Sequence, residues 1–301
     1  MSDLIHINSV SDAHRLMGFD KPQHPLISIF QHKPGMANAS KNMRITSSLY
    51  FIALKEGFKG SFAYGRNSYD FEEGTMIFMA PGQVMGSKEV EEESDARGWT
   101  VLFHPDLIRK SELGQSIDSY SFFDYEVNEA LHVSDKEKQV LNDQVEKIKD
   151  EIASNIDKHS QRLIVTNLQL LLDYCTRYYD RQFYTRTNLN RDVFSRFEHL
   201  LKDYFRAEKQ LATGIPSVRF CSEELNMSAN YLSDLLKKET GRNAQDHIHS
   251  FIIDKAKTLL LSSNEPVGQV AYGLGFEYSQ HFSKMFKAKT GMSPREYRSV
   301  N

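Results

Sequence analysis

The sequence repeats one pattern near its C-terminal end, as VRFCSEELNM at residues 218–227 and as VGQVAYGLGF at residues 267–276. The apolar positions of the two copies coincide at an offset of 49 residues. Further on, the offset becomes 50, where LSDLLKKETG at residues 232–241 matches FSKMFKAKTG at residues 282–291. The second copy therefore contains one extra residue. An internal repeat of this kind defines one supersecondary unit that the chain uses twice.

Each copy is predicted to form a short helix, a tight turn and a second helix. In the first copy, apolar residues recur at helical spacing on both sides of a turn at residues 226–228. Ser228 is placed to cap the second helix, and Gly241 suits a left-handed helix stop. The second copy has its turn at residues 273–275 and its stop at Gly291. This arrangement is the helix-turn-helix motif, whose second helix can lie in the DNA major groove.

The segment between the two copies is predicted to be one long helix. Within residues 243–263, apolar residues that include Ile248, Ile252 and Ala256 recur on one stripe. A helix of about 20 residues spans roughly 30 Å, and one turn of B-DNA is about 34 Å. One rigid helix would therefore hold two recognition helices in successive major grooves on the same side of the duplex.

Three motifs sharpen this interpretation: AYGLGFE at residues 271–277, FSKMFK at residues 282–287 and TGMSPREYR at residues 290–298. Together they resemble the DNA-binding domain of the AraC/XylS family of bacterial transcription regulators, over the last third of the chain. The resemblance implies a sequence-specific regulator that binds double-stranded DNA and activates transcription. It also implies a small-molecule effector, contact with RNA polymerase and a homodimer.

The resemblance further implies that the exposed positions of the two recognition helices contact DNA. Carried over by motif, the candidate DNA-binding residues are Ser228, Ala229, Asn230, Ser233, Asp234 and Lys237 in the first copy, and Ser279, Gln280, His281, Ser283, Lys284 and Lys287 in the second. Two residues depart from expectation. Gly268 weakens a helix interior by roughly 1 kcal/mol relative to alanine, and Asp234 places a negative charge where DNA is expected.

The charge of the whole chain hides an asymmetry between its two parts. The 301 residues have a formal net charge of -3 at pH 7. Residues 1–189 contain 21 Lys and Arg against 27 Asp and Glu, whereas residues 190–301 contain 16 against 13. The part that carries the repeat is thus the basic part, as DNA binding favours. Cys175 and Cys221 have neither metal-ligand spacing nor a disulfide framework, and Cys221 is predicted to lie in the core.

The N-terminal part has short β-like runs separated by Gly, Pro and Asn, which favour a barrel or a sandwich. The predicted strands are Leu26–Gln31, Ser48–Leu54, Gly60–Tyr64, Ser68–Phe71, Thr75–Met79 and Trp99–Phe103. The acidic run at residues 88–95 is interpreted as a solvated loop. By its glycine and proline pattern and its position, this part resembles the cupin-type sensor domain found in many AraC/XylS regulators, although more loosely than the C-terminal part resembles its family.

Cupins often hold a metal ion through closely spaced histidines, and this sequence lacks that spacing. His24, His32 and His104 are scattered, and a catalytic metal needs about three ligands. We therefore expect no metal and no cofactor. The ligand-binding residues stay unassigned: Phe51, Phe78, Trp99 and Phe103 could line an apolar pocket or simply fill the core.

Two helices are predicted to follow the β-rich part, at residues 135–156 and 159–183. They either fold back on each other or pair with those of a second chain, and the amount of apolar surface favours a homodimer. Residues 184–190 are interpreted as a polar linker, and residues 191–205 as the first helix of the DNA-binding domain.

The predicted fold class is α+β: a cupin-like β-barrel, then helices, then an all-α domain in which a long helix joins two helix-turn-helix motifs. The predicted domains are residues 1–133 for sensing, 134–184 for dimerisation and 190–301 for DNA binding. Two rival functions are a cupin-fold enzyme with a helical appendage and a helical adaptor that binds no DNA. The motifs and site patterns of an enzyme are missing from the sequence, so we expect no catalytic residues. With no signal peptide and no apolar run of 18 residues, the expected location is the cytoplasm.

Overall fold

The computed structural model describes residues 4–32, 44–56, 74–86, 97–126, 129–154, 157–185 and 187–300, without the side chains of residues 187–191 and 300. The chain divides into two compact units, Met1–Gln182 and Phe183–Asn301.

The first unit contains two β-sheets and several helices. Its elements are β1 (Leu4–Ile7), α1 (Val10–Met17), β2 (Ile27–Gln31), β3 (Arg44–Ser47), β4 (Tyr50–Glu56), β5 (Thr75–Met79), β6 (Val84–Gly86), β7 (Arg97–Phe103), α2 (Glu112–Ser116), β8 (Leu131–His132), α3 (Asp135–Ala153) and α4 (Ser160–Thr185), whose last turn lies in the second unit. The five-stranded sheet has the order β2-β7-β4-β5-β8, with antiparallel neighbours throughout. The three-stranded sheet has the order β1-β3-β6, and its β1–β3 pair is parallel.

Four of the six predicted strands are confirmed, with bounds that differ by at most two residues; they are β2, β4, β5 and β7. The predictions at residues 60–64 and 68–71, and the acidic run at 88–95, lie outside the described residues. Among the described residues the strands form two separate sheets and not a closed barrel, so the cupin-like barrel is not confirmed. Sequence periodicity predicts single strands, whereas barrel closure depends on pairing between strands distant in the chain.

A core cluster joins the two sheets and α1. It consists of Ile7, Val10, Ala13, Ile45, Leu49, Phe51, Met79 and Leu102, all buried. On the other face of the five-stranded sheet, Phe78 packs against Phe122 and Tyr179, with ring centroids 4.4 and 6.1 Å away. Phe51, Phe78, Trp99 and Phe103 are all buried, so these aromatic residues fill the core on both faces.

The helices α3 and α4 bury their apolar faces within the same chain. Nε1 of Trp99 on β7 donates to Oδ1 of Asn142 on α3 at 2.7 Å, and the backbone N of His132 donates to Oε1 of Gln182 on α4 at 2.9 Å. Arg181 of α4 pairs with Glu137 of α3 at 2.7 Å. Helical periodicity predicted both helices but left open what they pack against. Hydrogen bonds join α3 to β7, α4 to β8, and the two helices to each other.

The second unit is helical. Its elements are α5 (Thr187–Arg206), α6 (Lys209–Thr213), α7 (Val218–Leu225), α8 (Ala229–Thr240), α9 (Ala244–Ser262), α10 (Val267–Gly273), α11 (Ser279–Thr290) and α12 (Pro294–Val300). The long helix α9 contacts α7, α8, α10, α11 and α12. It buries Ile248, Ile252 and Ala256, so the predicted connecting helix is also the centre of this unit's core.

Two boundaries differ from the sequence prediction. Residues 184–185 end α4 and residues 187–190 begin α5, so the residues interpreted as a linker are helical wherever the structure describes them. The first helix of this unit accordingly starts at Thr187 and not at Arg191. Polarity was the only signal for a linker, and polarity does not distinguish a loop from a solvated helical turn.

Candidate nucleic-acid interface

The first motif consists of α7 and α8, joined by a short turn. Asn226 ends α7 in the left-handed conformation, with φ 58° and ψ 48°. Ser228 then caps α8, because its Oγ accepts a hydrogen bond from the backbone N of Tyr231 at 3.1 Å. One face of α8 is buried and consists of Tyr231, Leu232, Leu235 and Leu236. The opposite face is polar and remains accessible.

The second motif consists of α10 and α11 and follows the same plan. Phe282 and Phe286 bury one face of α11, and Phe276 from the preceding turn packs on Phe282 with ring centroids 5.3 Å apart. Gly291 ends α11 as Gly241 ends α8: both glycines are left-handed, and their backbone N–H groups donate to Lys287 O and Lys237 O. The two predicted helix-turn-helix motifs and their glycine stops are confirmed.

The structure places eleven of the twelve predicted DNA-binding residues on the accessible faces of α8 and α11 or at the first residues of these helices, and the twelfth, Ser228, just before α8. Those that are well exposed are Asn230, Lys237, Gln280, His281, Lys284 and Lys287. Those that are half-buried are Ser228, Ala229, Ser233, Asp234, Ser279 and Ser283. Two of the serines also serve the helices themselves, because Ser228 is the cap of α8 and Oγ of Ser283 donates to Ser279 O at 3.0 Å. Their roles in DNA binding remain predictions.

The repeat extends one helix further than the sequence pattern predicts. Thr240 Oγ1 donates to Leu236 O at 2.7 Å and accepts from Arg242 N at 3.2 Å. Fifty residues later, Thr290 Oγ1 donates to Phe286 O at 2.8 Å and accepts from Met292 N at 3.3 Å. Each copy thus ends in the same turn, from which the next helix starts.

The start of that next helix is also duplicated. Asn243 caps α9 by accepting from Asp246 N at 2.9 Å, and Ser293 accepts from Glu296 N at 3.3 Å at the start of α12. The repeating unit is therefore three helices, α7-α8-α9 and α10-α11-α12, and α12 corresponds to the first turns of α9. The signal was present in the sequence, as TGRN at residues 240–243 and TGMS at residues 290–293.

His247 fixes the end of α8 against neighbouring helices. Its Nε2 lies 2.7 Å from Oγ1 of Thr240, and its ring packs on Phe194 of α5 with centroids 5.4 Å apart. Burial lowers the pKa of His247, so the imidazole is neutral at neutral pH. At the equivalent position of the second copy, Tyr297 packs on Phe286. The contact between Thr240 and His247 joins α8 to α9, and the contact between Phe286 and Tyr297 joins α11 to α12.

The histidines His24, His32 and His104 make local hydrogen bonds, and both cysteines are buried. Nδ1 of His24 accepts from Leu26 N at 3.1 Å, and Nδ1 of His104 accepts from Asp106 N at 3.2 Å. Nε2 of His32 lies 2.8 Å from Oγ1 of Thr100. Burial raises the pKa of both thiols, that of Cys221 to about 12. Within the described parts of the chain, no group of three or more His, Cys, Asp or Glu side chains could hold a metal ion.

Comparison with known proteins agrees with this geometry. Residues 221–299 match the family model described as a helix-turn-helix domain. This part of the chain is a helix-turn-helix domain. The match begins within α7 and ends within α12, so it includes both motifs and the connecting helix.

The relatives are regulators by name. The uncharacterized HTH-type transcriptional regulator YobQ of Bacillus subtilis is 38% identical over 70 residues, which are 23% of this chain and 29% of YobQ. The uncharacterized HTH-type transcriptional regulator YijO of Escherichia coli is 25% identical over 225 residues, 73% of this chain and 74% of YijO. The HTH-type transcriptional activator RhaS of Citrobacter koseri is 35% identical over 77 residues, 26% of this chain and 28% of RhaS.

The chain thus spans less than a third of the length of YobQ and of RhaS, and about three quarters of that of YijO. The matches support a DNA-binding transcriptional regulator with an AraC-type helix-turn-helix domain. None of the helices that the structure describes has both the length and the apolar character that a membrane span requires.

Proposed function

We propose that this protein is a sequence-specific DNA-binding transcription regulator of the AraC/XylS type, in which α8 and α11 are the recognition helices. The observation that carries the proposal is the duplication itself: two helix pairs with matched buried faces, matched glycine stops and accessible polar faces at equivalent positions. Docking the second helix of a pair in the major groove is the usual geometry of this motif.

The connecting helix supports simultaneous binding by both motifs. α9 contains 19 residues, which correspond to roughly 28 Å at 1.5 Å per residue. Successive major grooves on one side of B-DNA repeat every ~34 Å. A rigid helix of this length holds the two recognition helices at about one turn of DNA, so we expect a site with two elements in adjacent major grooves.

The charges of α8 and α11 favour different roles for the two helices in DNA binding. Asp234 and Lys284 occupy equivalent positions, and both lie on accessible faces. A lysine that neutralises a phosphate releases counterions and supports binding to any sequence. A carboxylate opposes the phosphates and gains only by accepting a hydrogen bond from a base, such as the amino group of cytosine. Asn230 and Gln280, also equivalent, suit bidentate contact with adenine.

The proposed effector site is the face of the five-stranded sheet that carries Phe51, Met79 and Leu102. By strand register, Thr100 and Ala53 pair in one row, and Lys55 and Thr75 pair in the next. Thr75 is buried, and its Oγ1 has no hydrogen-bond partner among the described residues. Buried polar atoms are normally paired, so a polar small molecule that bonded this hydroxyl would be stabilised here.

The proposed dimer contact is on α4. Leu163 and Leu170 lie two turns apart on this helix and are 46% and 40% exposed. Exposed apolar side chains seven residues apart form a stripe suited to pairing with a second copy. The contact is narrower than the sequence predicted, because most of the apolar residues of α4 are buried within the chain.

The remaining parts of the proposal concern cellular role. The name of RhaS supports activation of transcription, for which RNA polymerase is the partner, and a cytoplasmic location follows from such a role. The proposal assigns the chain no catalytic residues.

Selection from random DNA tests the proposal. The purified chain is incubated with a random double-stranded library and excess competitor DNA, and the retained fragments are sequenced. We expect one enriched site containing two elements whose centres lie ~10 base pairs apart. Retention without any enriched sequence, or no retention, would contradict the proposal.

A further inference from the structure

Tyr278 occupies the residue just before α11, where a capping side chain is expected. Among the described residues, it makes no side-chain hydrogen bond to the first turn of the helix. The equivalent residue in the first copy is Ser228, which caps α8 by accepting from Tyr231 N. Serine is among the preferred caps and tyrosine is not. Tyr278 therefore does not provide the cap hydrogen bond by which Ser228 stabilises the start of α8.

The side chain of Tyr278 is exposed but has a defined neighbour. The residue is 54% exposed, and its ring lies edge-to-face against His281, with centroids 5.5 Å apart and an interplanar angle of 63°. His281 is itself exposed. This edge-to-face geometry is a favoured arrangement of aromatic rings. An apolar ring is thus held at the accessible end of the second recognition helix.

The first copy has no such pair. The position equivalent to His281 is Tyr231, which is buried and packs on Phe183 with ring centroids 5.1 Å apart. The aromatic pair is therefore a feature of the second motif and not a general requirement of the repeat.

We propose that Tyr278, held by His281, determines specificity by contacting the 5-methyl group of a thymine in the major groove. The inference rests on the proposed function. The N-terminal residues of a recognition helix are those that reach base edges. Apolar side-chain contact with the methyl group is the means by which the major groove distinguishes thymine. The loss of a helix cap at this position is explained by the gain of an apolar contact with DNA.

Replacement of thymine by uracil isolates the contact, because it removes only the methyl group. In the site enriched by selection, each thymine is replaced by uracil in turn, and the affinity of the full chain is measured by titration. For the wild type we expect one replacement to weaken binding about 4-fold, as for loss of one buried methyl group. If no replacement of thymine by uracil changes the affinity, the inference is wrong.

The matched variants are Tyr278→Ser and Tyr278→Phe. Tyr278→Ser copies Ser228, so it removes the ring while supplying a cap, and its melting temperature should equal or exceed that of the wild type. It should bind the thymine and uracil sites equally, whereas Tyr278→Phe should keep the 4-fold difference. If the serine variant melts below the wild type, Tyr278→Asn, which also caps, takes its place.

Three further results would overturn the inference. The thymine preference could persist without the ring. Tyr278→Phe could lose affinity for all DNA as much as Tyr278→Ser does, which would assign the hydroxyl to a phosphate. If selection yields no site at all, the proposed function itself fails and the inference with it. The first two results leave the proposed function intact.

Discussion

Nζ of Lys289, in the last turn of α11, lies 2.9 Å from Oδ1 of Asp246, in the first turn of α9. The contact joins the second recognition helix directly to the helix that connects the two motifs. The hydrogen bond from Lys289 lowers the pKa of Asp246. The two side chains are 37% and 42% exposed, so solvent screens the pair and its contribution is modest.

We expect Asp246→Asn to lower the free energy of unfolding by about 0.2–1 kcal/mol at pH 7 and low salt. Because the pKa of Asp246 is lowered by folding, the stabilisation is present above its unfolded pKa, about 3.9, and is lost as pH falls through the folded value. Urea unfolding across pH 2–7 measures this. In a Lys289→Met background the Asn substitution should have a smaller effect; an equal effect would show that the pair contributes nothing.

Three glycines of the repeat should respond differently to alanine. Gly275 has φ +91°, and a Cβ there would lie 3.0 Å from Gln210 Cβ and from the backbone carbon of Gly214. Positive φ alone costs an L-residue roughly 1–2 kcal/mol, and the crowding adds to it, so Gly275→Ala should destabilise by more than ~2 kcal/mol.

The control is Gly268→Ala, where a Cβ would meet no described atom within 4 Å and the helix gains up to about 1 kcal/mol. Gly291→Ala should lie between them, since its φ is +80° but the space is open. Thermal unfolding of the three variants measures this order, and equal stabilities would contradict it.

Lys284→Ala should weaken binding to every DNA sequence and reduce the slope of log affinity against log salt by about 0.9, one phosphate contact. Asp234→Ala should keep or raise affinity for scrambled DNA and relax the preference at one base position. Titrations at several salt concentrations, on the selected site and on scrambled DNA, compare the two. An equal loss on both DNAs for Asp234→Ala would show a structural role.

A fragment of residues 183–301 should fold cooperatively and bind DNA without the rest of the chain. Phe183 is buried and packs on Tyr231 of α8, so a fragment that begins at residue 190, outside this contact, should be less stable. Removal of a buried phenylalanine costs about 3–5 kcal/mol in a core. Urea unfolding of both fragments, with Phe183→Ala in the longer one as control, measures the difference; equal midpoints would contradict it.

Leu163→Glu combined with Leu170→Glu should convert a homodimer into a monomer, because two carboxylates would be buried in the proposed contact. Sedimentation equilibrium at micromolar concentration measures the mass. Leu211→Glu, at an exposed leucine of α6, is the matched control and should leave the mass unchanged. A monomeric wild type, with DNA or without it, would exclude the contact.

The sequence by itself determined the C-terminal architecture. Apolar spacing at 3.6 residues, Ser228 before α8, and the glycines 241 and 291 predicted both motifs and the connecting helix to within a residue or two. These signals are local: a cap or a left-handed stop depends on residues within one turn, and a duplicated pattern shows that the local solution is used twice.

Only the tertiary structure decided how those elements are packed. The sequence left open what α3 and α4 contact, and the hydrogen bond between Trp99 and Asn142 joins α3 to the sheet. The polar composition of residues 184–190 favoured a linker, whereas the residues of this segment that the structure describes are helical. Whether Tyr278 caps a helix or exposes its ring was equally undecided. Burial and packing depend on residues far apart in the chain. The spacing of apolar residues along one element shows its local periodicity, but not which distant surface the element packs against.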